Sequence, residues 1–446
     1  MTYRAVIEGP QVLSGRLAVP GDKSITHRAL VFSAIASGKS RISNILTSAD
    51  CLSTLDCLRR CGVRIEVDGV KAVVHGRGLS GLVEPDDILD VGNSGTALRI
   101  LPALLAGQGG FAVITGDRSI RTRPVDRVLK PLVEMGARVW ARAGGRLAPV
   151  AVAGGQLKGI AYRLPVASAQ VKTAVLTAGL LAEGRTTVIE TAPSRDHTEL
   201  MLEHLGAAVA IDADAARGER GITVTGQTQF TAGDIDVPGD FSSAAFFLAV
   251  GALAASGPVE VVGVGLNPTR TGLIEVLEKM GVAPDVLVRS VNAGEPVGAI
   301  GIERGRLVGT DIGGGLVPRL IDELPLVALL ATQAQGRTIV RDAAELRVKE
   351  TDRLALTAAE LKKMGAKIAP TGDGFIIDGP TPLKGATVES HGDHRLAMML
   401  AVAALAADGV TVIEGADAVD VSFPDFFDRL RELGADVAIA PAKQTD

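Results

Sequence analysis

The chain has 446 residues, about three times the ~150 of a typical domain, so two or more domains are expected. A hydrophobic content of 47% excludes a disordered chain, and an aromatic content of 3% argues against a base-stacking platform for nucleic acid. A net charge of −5 argues against a polyanion-binding surface.

In chain order, MTYRAVIEGPQVLSG has neither the charged-then-apolar pattern of a signal peptide nor the Arg/Ser-rich character of a transit peptide. No uninterrupted apolar run approaches the roughly 20 residues needed to cross a bilayer, so a soluble, cytoplasmic protein is expected. LAVPGD then leads into ALVFSAIASG, apolar on nearly every face and therefore a buried helix, and on to the more amphipathic LDCLRRCGVRI. The same pair returns as ALRILPALLAG with LKPLVEMGARV, and as AVLTAGLLAEG with MLEHLGAAV. It returns again as AAFFLAVGALAASG with IEVLEKMGVA, LPLVALLATQAQG with AELKKMGAKI, and LAMMLAVAALAADG with DRLRELGADV. Each amphipathic helix ends on a glycine suited to a left-handed C-terminal cap: Gly62, Gly136, Gly206, Gly281, Gly365 and Gly434. These lie about 69 to 84 residues apart, a true repeat.

Strands such as TTVIE and VTVIEG follow two of the buried helices. Each unit is therefore expected to supply strands, a buried helix, another strand and an amphipathic helix, which makes an α/β fold with mixed sheets. Six such units form two lobes of three more naturally than one core. DIDVPGD, around Asp236, echoes LAVPGD, around Pro20, and these two segments are the expected lobe crossings. Residues 1–19 with 238–446 then form lobe I, to which the N-terminus adds a strand, and residues 20–237 form lobe II.

Two local signals are weaker than they look. Cys51, Cys57 and Cys61 fall in one helical stretch, but no nearby His completes a zinc-like spacing, so reduced, packed thiols are expected and no metal site. Gly38-Lys39-Ser40 resembles the end of a phosphate-binding loop, yet the earlier glycine of that motif falls on Ser33. It follows a helix, and is read as a helix end.

Small, polar or charged residues precede every buried helix. They are Gly21-Asp22-Lys23-Ser24 with Arg28, Gly92-Asn93-Ser94-Gly95-Thr96, Ser168-Ala169-Gln170, Gly239-Asp240-Phe241-Ser242-Ser243, Asp322-Glu323, and Gly392-Asp393-His394-Arg395. Any one of these reads as ordinary capping. Six together, with Lys and Arg added, point to converging anion sites, because helix N-termini present free N–H groups and partial positive charge. Ser24 and Arg28, four apart, share a helix face beside Lys23. LRVKETDRL places Lys349 and Arg353 four apart with Glu350 between them, and locally reads as a solvated, salt-bridged helix.

PGDKSITHR (20–28), GNSGTALR (92–99), RTRP (121–124), SAQVK (168–172), IDELP (321–325), LRVKETDRL (346–354) and DHRLAM (393–398) together resemble the EPSP synthase (3-phosphoshikimate 1-carboxyvinyltransferase) family. The resemblance spans essentially the whole chain in the family's order. RDHTE (195–199) and NPTR (267–270) further resemble its class II branch.

The resemblance implies two lobes, each of three βαβαββ units, forming an inside-out α/β barrel with the active site in the interlobe cleft. Hinge closure between the lobes goes with that arrangement. It also implies transfer of the enolpyruvyl group of phosphoenolpyruvate to the 5-hydroxyl of shikimate 3-phosphate, with release of phosphate. The chemistry is addition and elimination through a tetrahedral intermediate, in the shikimate pathway, with no metal and no organic cofactor. The expected partners are these two small molecules, with no nucleic acid, no membrane and a monomeric chain. By motif, Lys23, Ser24, Arg28, Ser168, Ala169, Gln170, Ser194, Arg195, Asp322 and Lys349 would hold shikimate 3-phosphate. Lys23, Gly95, Arg123, Gln170, Arg353 and Arg395 would hold phosphoenolpyruvate. Asp322 is the candidate to take the hydroxyl proton, Glu350 to protonate the methylene carbon, and Lys23 to share in proton transfer.

Two departures from the family pattern stand out. A lysine that many members carry before a Thr-Phe-Pro is absent from VSFPDF, where Val421 stands. Gly95, Ala in some glyphosate-tolerant class II members, is expected to leave room for glyphosate. Two rival readings are a UDP-N-acetylglucosamine enolpyruvyl transferase, which typically uses a mobile-loop cysteine, and a non-catalytic binder of phosphorylated metabolites.

Overall fold

The structure is a computed structural model that describes residues 3–214 and 218–441. The chain divides into two compact units. Unit I comprises Met1–Pro20, Gly239–Ser290 and Pro296–Asp446, and unit II comprises Gly21–Pro238 with Val291–Glu295.

Among the described residues, each unit contains three four-stranded sheets, built on one plan. A short strand pairs in parallel with the strand that follows the buried helix; that strand pairs antiparallel with a third, which pairs antiparallel with a fourth. A parallel neighbour needs a crossover, and the buried helix supplies it. The repeat is thus βαβαββ, with the amphipathic helix before the final two strands. Three sheets borrow a strand from afar. Ile235–Asp236 pairs with Ser37–Ser43 in the first repeat, and Leu13–Ala18 with Ala255–Gly265 in the fourth. Tyr3–Gly9 inserts between Gly409–Glu414 and Val437–Pro441 in the sixth. The N-terminal stretch therefore provides two strands, where one is expected, because Pro10 has no N–H to continue a ladder.

The six buried helices are Lys23–Ile35, Gly95–Ala106, Ala169–Leu181, Phe241–Ala254, Leu324–Gln333 and His394–Ala406. Five begin with a side-chain cap: the oxygens of Asp22, Ser94, Ser168, Asp240 and Asp393 accept backbone N–H bonds from the first turn. The fifth helix has Pro325 in its first turn, which removes one of the donors a cap would satisfy. All fourteen residues of Phe241–Ala254 are buried, as the apolar run that follows Ser242 and Ser243 in its first turn requires. The six glycines that close the amphipathic helices have φ of 84°, 93°, 75°, 89°, 93° and 97°, the left-handed region that only glycine enters freely.

Each unit has its own hydrophobic core. In unit I, Phe246 and Phe247 meet Phe423 and Phe426 with ring centroids 5.8–5.9 Å apart, so VSFPDF is a core anchor and Val421 ends the 3₁₀ turn beside it. Cys51, Cys57 and Cys61 are buried free thiols in unit II, and burial pushes Cys57 up to about 12 and Cys61 up to about 11. Gly38-Lys39-Ser40 lies within the strand Ser37–Ser43, just past the helix instead of closing it. Among the described residues, no helix is long and apolar enough to cross a membrane.

Candidate active site

In unit II the candidate residues gather at the starts of the three buried helices. The Asp22 cap places Lys23 and Ser24 in the first turn and Arg28 one turn later on the same side. Arg28 is 3% exposed. Its Nε donates to Thr198 Oγ1 at 2.8 Å, and its terminal nitrogens to Thr173 Oγ1 at 2.6 Å and to the Ser24 carbonyl at 2.9 Å. All three partners are neutral oxygens. Burial pushes the guanidinium down to about 10, with Asp22 and Glu199 opposing, so it stays charged at neutral pH. A buried cation whose hydrogen bonds, among the described residues, all go to neutral oxygens is poised to receive an anion.

Thr173 also donates to the Ala169 carbonyl at 2.7 Å, which ties Arg28 to the Ser168–Gln170 turn. Ser168 caps that helix, and Ser168, Ala169 and Gln170 are half-buried. Ser194 is buried and Arg195 half-buried in the segment leading into the helix His197–His204. The Ser194 hydroxyl donates to Glu190, and its carbonyl accepts from Lys172 Nζ at 3.4 Å. Lys23 Nζ lies 3.1 Å from Asp50 Oδ2. Gly95 opens the second buried helix, where Arg123 donates to Asn93 Oδ1 at 2.5 Å and to Ser119 Oγ at 3.3 Å.

In unit I the centre is Asp322, just before the fifth buried helix. Its carboxylate lies 3.4 Å from Lys349 Nζ, 3.5 Å from Arg353, 3.8 Å from Arg395 and 3.9 Å from Arg270. Arg353 is 1% exposed and donates to Asp393 at 2.8 Å and to Glu350 at 2.6 Å. Burial opposes its charge, but Asp393, Glu350 and Asp322 outweigh burial and raise its pKa above the ordinary arginine value. Asp393 in turn caps the sixth helix by accepting from Arg395 N at 2.9 Å. Arg270 bonds Ser242 Oγ at 2.7 Å and Asp240 at 3.2 Å, which brings in the start of the fourth helix. Asp322, Lys349, Glu350, Arg353 and Arg395 thus form one ion network.

LRVKETDRL is not the solvated helix its spacing suggests. Ala344–Val348 is a short 3₁₀ turn, the chain leaves helical geometry at Lys349, and a new helix begins at Arg353, capped by Asp352 accepting from Ala355 N at 3.0 Å. The cap splits the run, so Arg353 faces inward and Lys349 reaches Asp322 from the preceding loop. Sequence reading also misses Asp50, Thr173, Thr198, Glu190 and the part played by Arg270. Lys172 carries a signal that could have been used, since a lysine inside an otherwise apolar helix must have buried carboxylate partners.

The profile of EPSP synthase (3-phosphoshikimate 1-carboxyvinyltransferase) matches residues 7–430. The chain belongs to the EPSP synthase family. With the family goes enolpyruvyl transfer in the shikimate pathway. A 3-phosphoshikimate 1-carboxyvinyltransferase of Bacillus subtilis is 49% identical over 95% of this chain and 98% of its own length. One from Bacillus cereus is 51% identical over 94% and 97%. The solved EPSP synthase of Acinetobacter baumannii is 40% identical, with a TM-score of 0.87 over 99% of this chain and 100% of its own. The enolpyruvyl transferase NikO from Streptomyces tendae is 21% identical with a TM-score of 0.82 over 99% and 100%, a likeness of fold.

Proposed function

We propose that the two residue sets divide the family reaction between them. Unit II is the anchor for shikimate 3-phosphate, through Lys23, Ser24, Arg28, Ser168, Ala169, Gln170, Ser194 and Arg195. Unit I carries the proton chemistry on Asp322 and Glu350, with Lys349 on the acceptor substrate. Lys23, Gly95, Arg123, Gln170, Arg353 and Arg395 take phosphoenolpyruvate. The chain acts as a cytoplasmic monomer on these two small molecules. The observation that carries the reading is Arg28, a buried cation whose hydrogen bonds, among the described residues, all go to neutral oxygens.

Both substrates are polyanions, and two unit charges ~4 Å apart repel by about 4 kcal/mol at an effective dielectric of 20. Fixed cations must offset that repulsion before the reacting atoms can approach. Asp322 then takes the proton of the 5-hydroxyl as it attacks C2 of phosphoenolpyruvate, while Glu350 delivers a proton to the methylene carbon. This forms the tetrahedral intermediate. Reversal of the two roles removes a proton from the new methyl group and expels phosphate. Lys23, with its ammonium beside Asp50, shares in proton transfer at the phosphate.

Addition and elimination leave an isotopic trace. Turnover in heavy water should place deuterium in the methylene group of the product, and Glu350→Gln should suppress both turnover and exchange by about 10²–10⁴-fold. Mass spectrometry of the product checks this, and full exchange by Glu350→Gln contradicts the assignment.

A Cβ added at Gly95 would meet the flexible ends of Arg99, at 2.8 Å, and Arg123, at 3.4 Å, and touch Ile120 Cδ1 at an ordinary 4.0 Å. Gly95→Ala should therefore fold normally while shifting Arg123. The expected result is a KM for phosphoenolpyruvate raised about tenfold, the effect of roughly 1.4 kcal/mol, and a higher inhibition constant for glyphosate. Unchanged values of both would contradict the placement of Gly95 at this subsite.

A further inference from the structure

Lys172 is fully buried in the third helix, among residues that are otherwise mostly apolar. Its Nζ lies 2.7 Å from Glu199 Oε1, 3.1 Å from Glu190 Oε1 and 3.4 Å from the Ser194 carbonyl. These partners come from three places: the first turn of His197–His204, the end of the strand Arg185–Glu190, and the segment between them. Glu190 also accepts the Ser194 hydroxyl, so Ser194 is gripped at both of its oxygens. The residues next to Lys172 and Glu199 are Thr173 and Thr198, which bond each other at 2.7 Å and supply the two hydroxyls that aim Arg28.

A buried ion cluster is poor stabilisation, since well-packed apolar residues of similar volume often serve as well or better. This one sits where it controls two of the groups assigned above to the anionic substrate. We propose that Lys172, through Glu190 and Glu199, is a positioning residue for shikimate 3-phosphate: it fixes Ser194 and the Thr173–Thr198 pair that orients Arg28. The proposal rests on the reading that Ser194 and Arg28 bind that substrate.

The test uses the full-length enzyme and separate KM values for the two substrates. The triple variant Lys172→Met, Glu190→Gln, Glu199→Gln removes the lysine charge together with both of its carboxylate partners, and its thermal unfolding checks that it is folded. KM for shikimate 3-phosphate should rise on the order of tenfold or more, while KM for phosphoenolpyruvate and kcat at saturation stay near wild type. Added to Ser194→Ala, the triple change should raise that KM by less than the product of the separate effects, because part of its effect passes through Ser194. Wild-type KM in the folded triple variant, with a raised KM in Ser194→Ala, overturns the positioning role alone. Wild-type KM in both overturns the binding reading and the positioning role with it. Fully multiplicative effects, or equal losses for both substrates, also overturn it. If the triple variant does not fold, Glu190→Gln alone turns an amide donor toward Lys172 or Ser194; a raised KM for shikimate 3-phosphate supports the role and an unchanged one overturns it.

Discussion

Asp322→Ala is expected to lower kcat by about 10²–10⁴-fold, the range contributed by a positioned general acid or base. The loss should fall on turnover more than on the KM of either substrate. Asp322 is the only carboxylate among the described residues with Lys349, Arg353, Arg395 and Arg270 all within 4 Å. Removing it deletes the proposed proton acceptor and takes a shared negative charge away from four cations. Asp322→Asn keeps the shape of the side chain but, like Ala, removes both the negative charge and the group that would accept a proton at neutral pH, so it controls for side-chain volume alone. Both variants should be similarly inactive in steady-state assays. Near-normal turnover by either one contradicts the assignment of Asp322 to the hydroxyl proton.

The second large effect comes from comparing two buried arginines. Arg28→Met should raise KM for shikimate 3-phosphate by the equivalent of about 2–5 kcal/mol, the usual loss on truncating one partner of a buried charge pair. Its thermal stability should hardly fall, since in the free protein Arg28 is a buried cation bonded to neutral oxygens. Arg353→Met should behave the opposite way. Arg353 neutralises Asp393, Glu350 and Asp322, and its removal strands buried carboxylates at an expected loss of about 3–5 kcal/mol of stability. Denaturant unfolding and substrate titration of the two variants check the contrast. A large stability loss for Arg28→Met, with unchanged substrate KM, would show that its charge is structural.

The parts of this protein legible in its sequence are those set by local rules. Asp22, Ser94, Ser168 and Asp393 stand where free N–H groups need an acceptor, and the six closing glycines stand where only glycine tolerates the turn. The buried helices announce themselves because, past Ser242 and Ser243 in its first turn, no face of Phe241–Ala254 is polar. What escapes sequence reading depends on residues far apart in the chain. Arg353 looks like a surface helix residue until Asp393, forty positions on, and Asp322, thirty-one before, are placed beside it. Lys172 looks like a flaw in an apolar helix until Glu190 and Glu199 are seen to enclose it. Val291–Glu295 groups with unit II, where Glu295 bonds His197 Nδ1 at 2.6 Å, and no composition shift marks that excursion. Asp352 cuts LRVKETDRL in two, a cap hidden inside what reads as continuous helical spacing.

The central claim is that this chain joins phosphoenolpyruvate to shikimate 3-phosphate and expels phosphate. Phosphate release from phosphoenolpyruvate, followed with and without shikimate 3-phosphate, tests it most directly. Release should be strictly dependent on shikimate 3-phosphate and matched one for one by the enolpyruvyl product. Release without that substrate, release only with a UDP-sugar acceptor, or binding of both ligands without any release would contradict it.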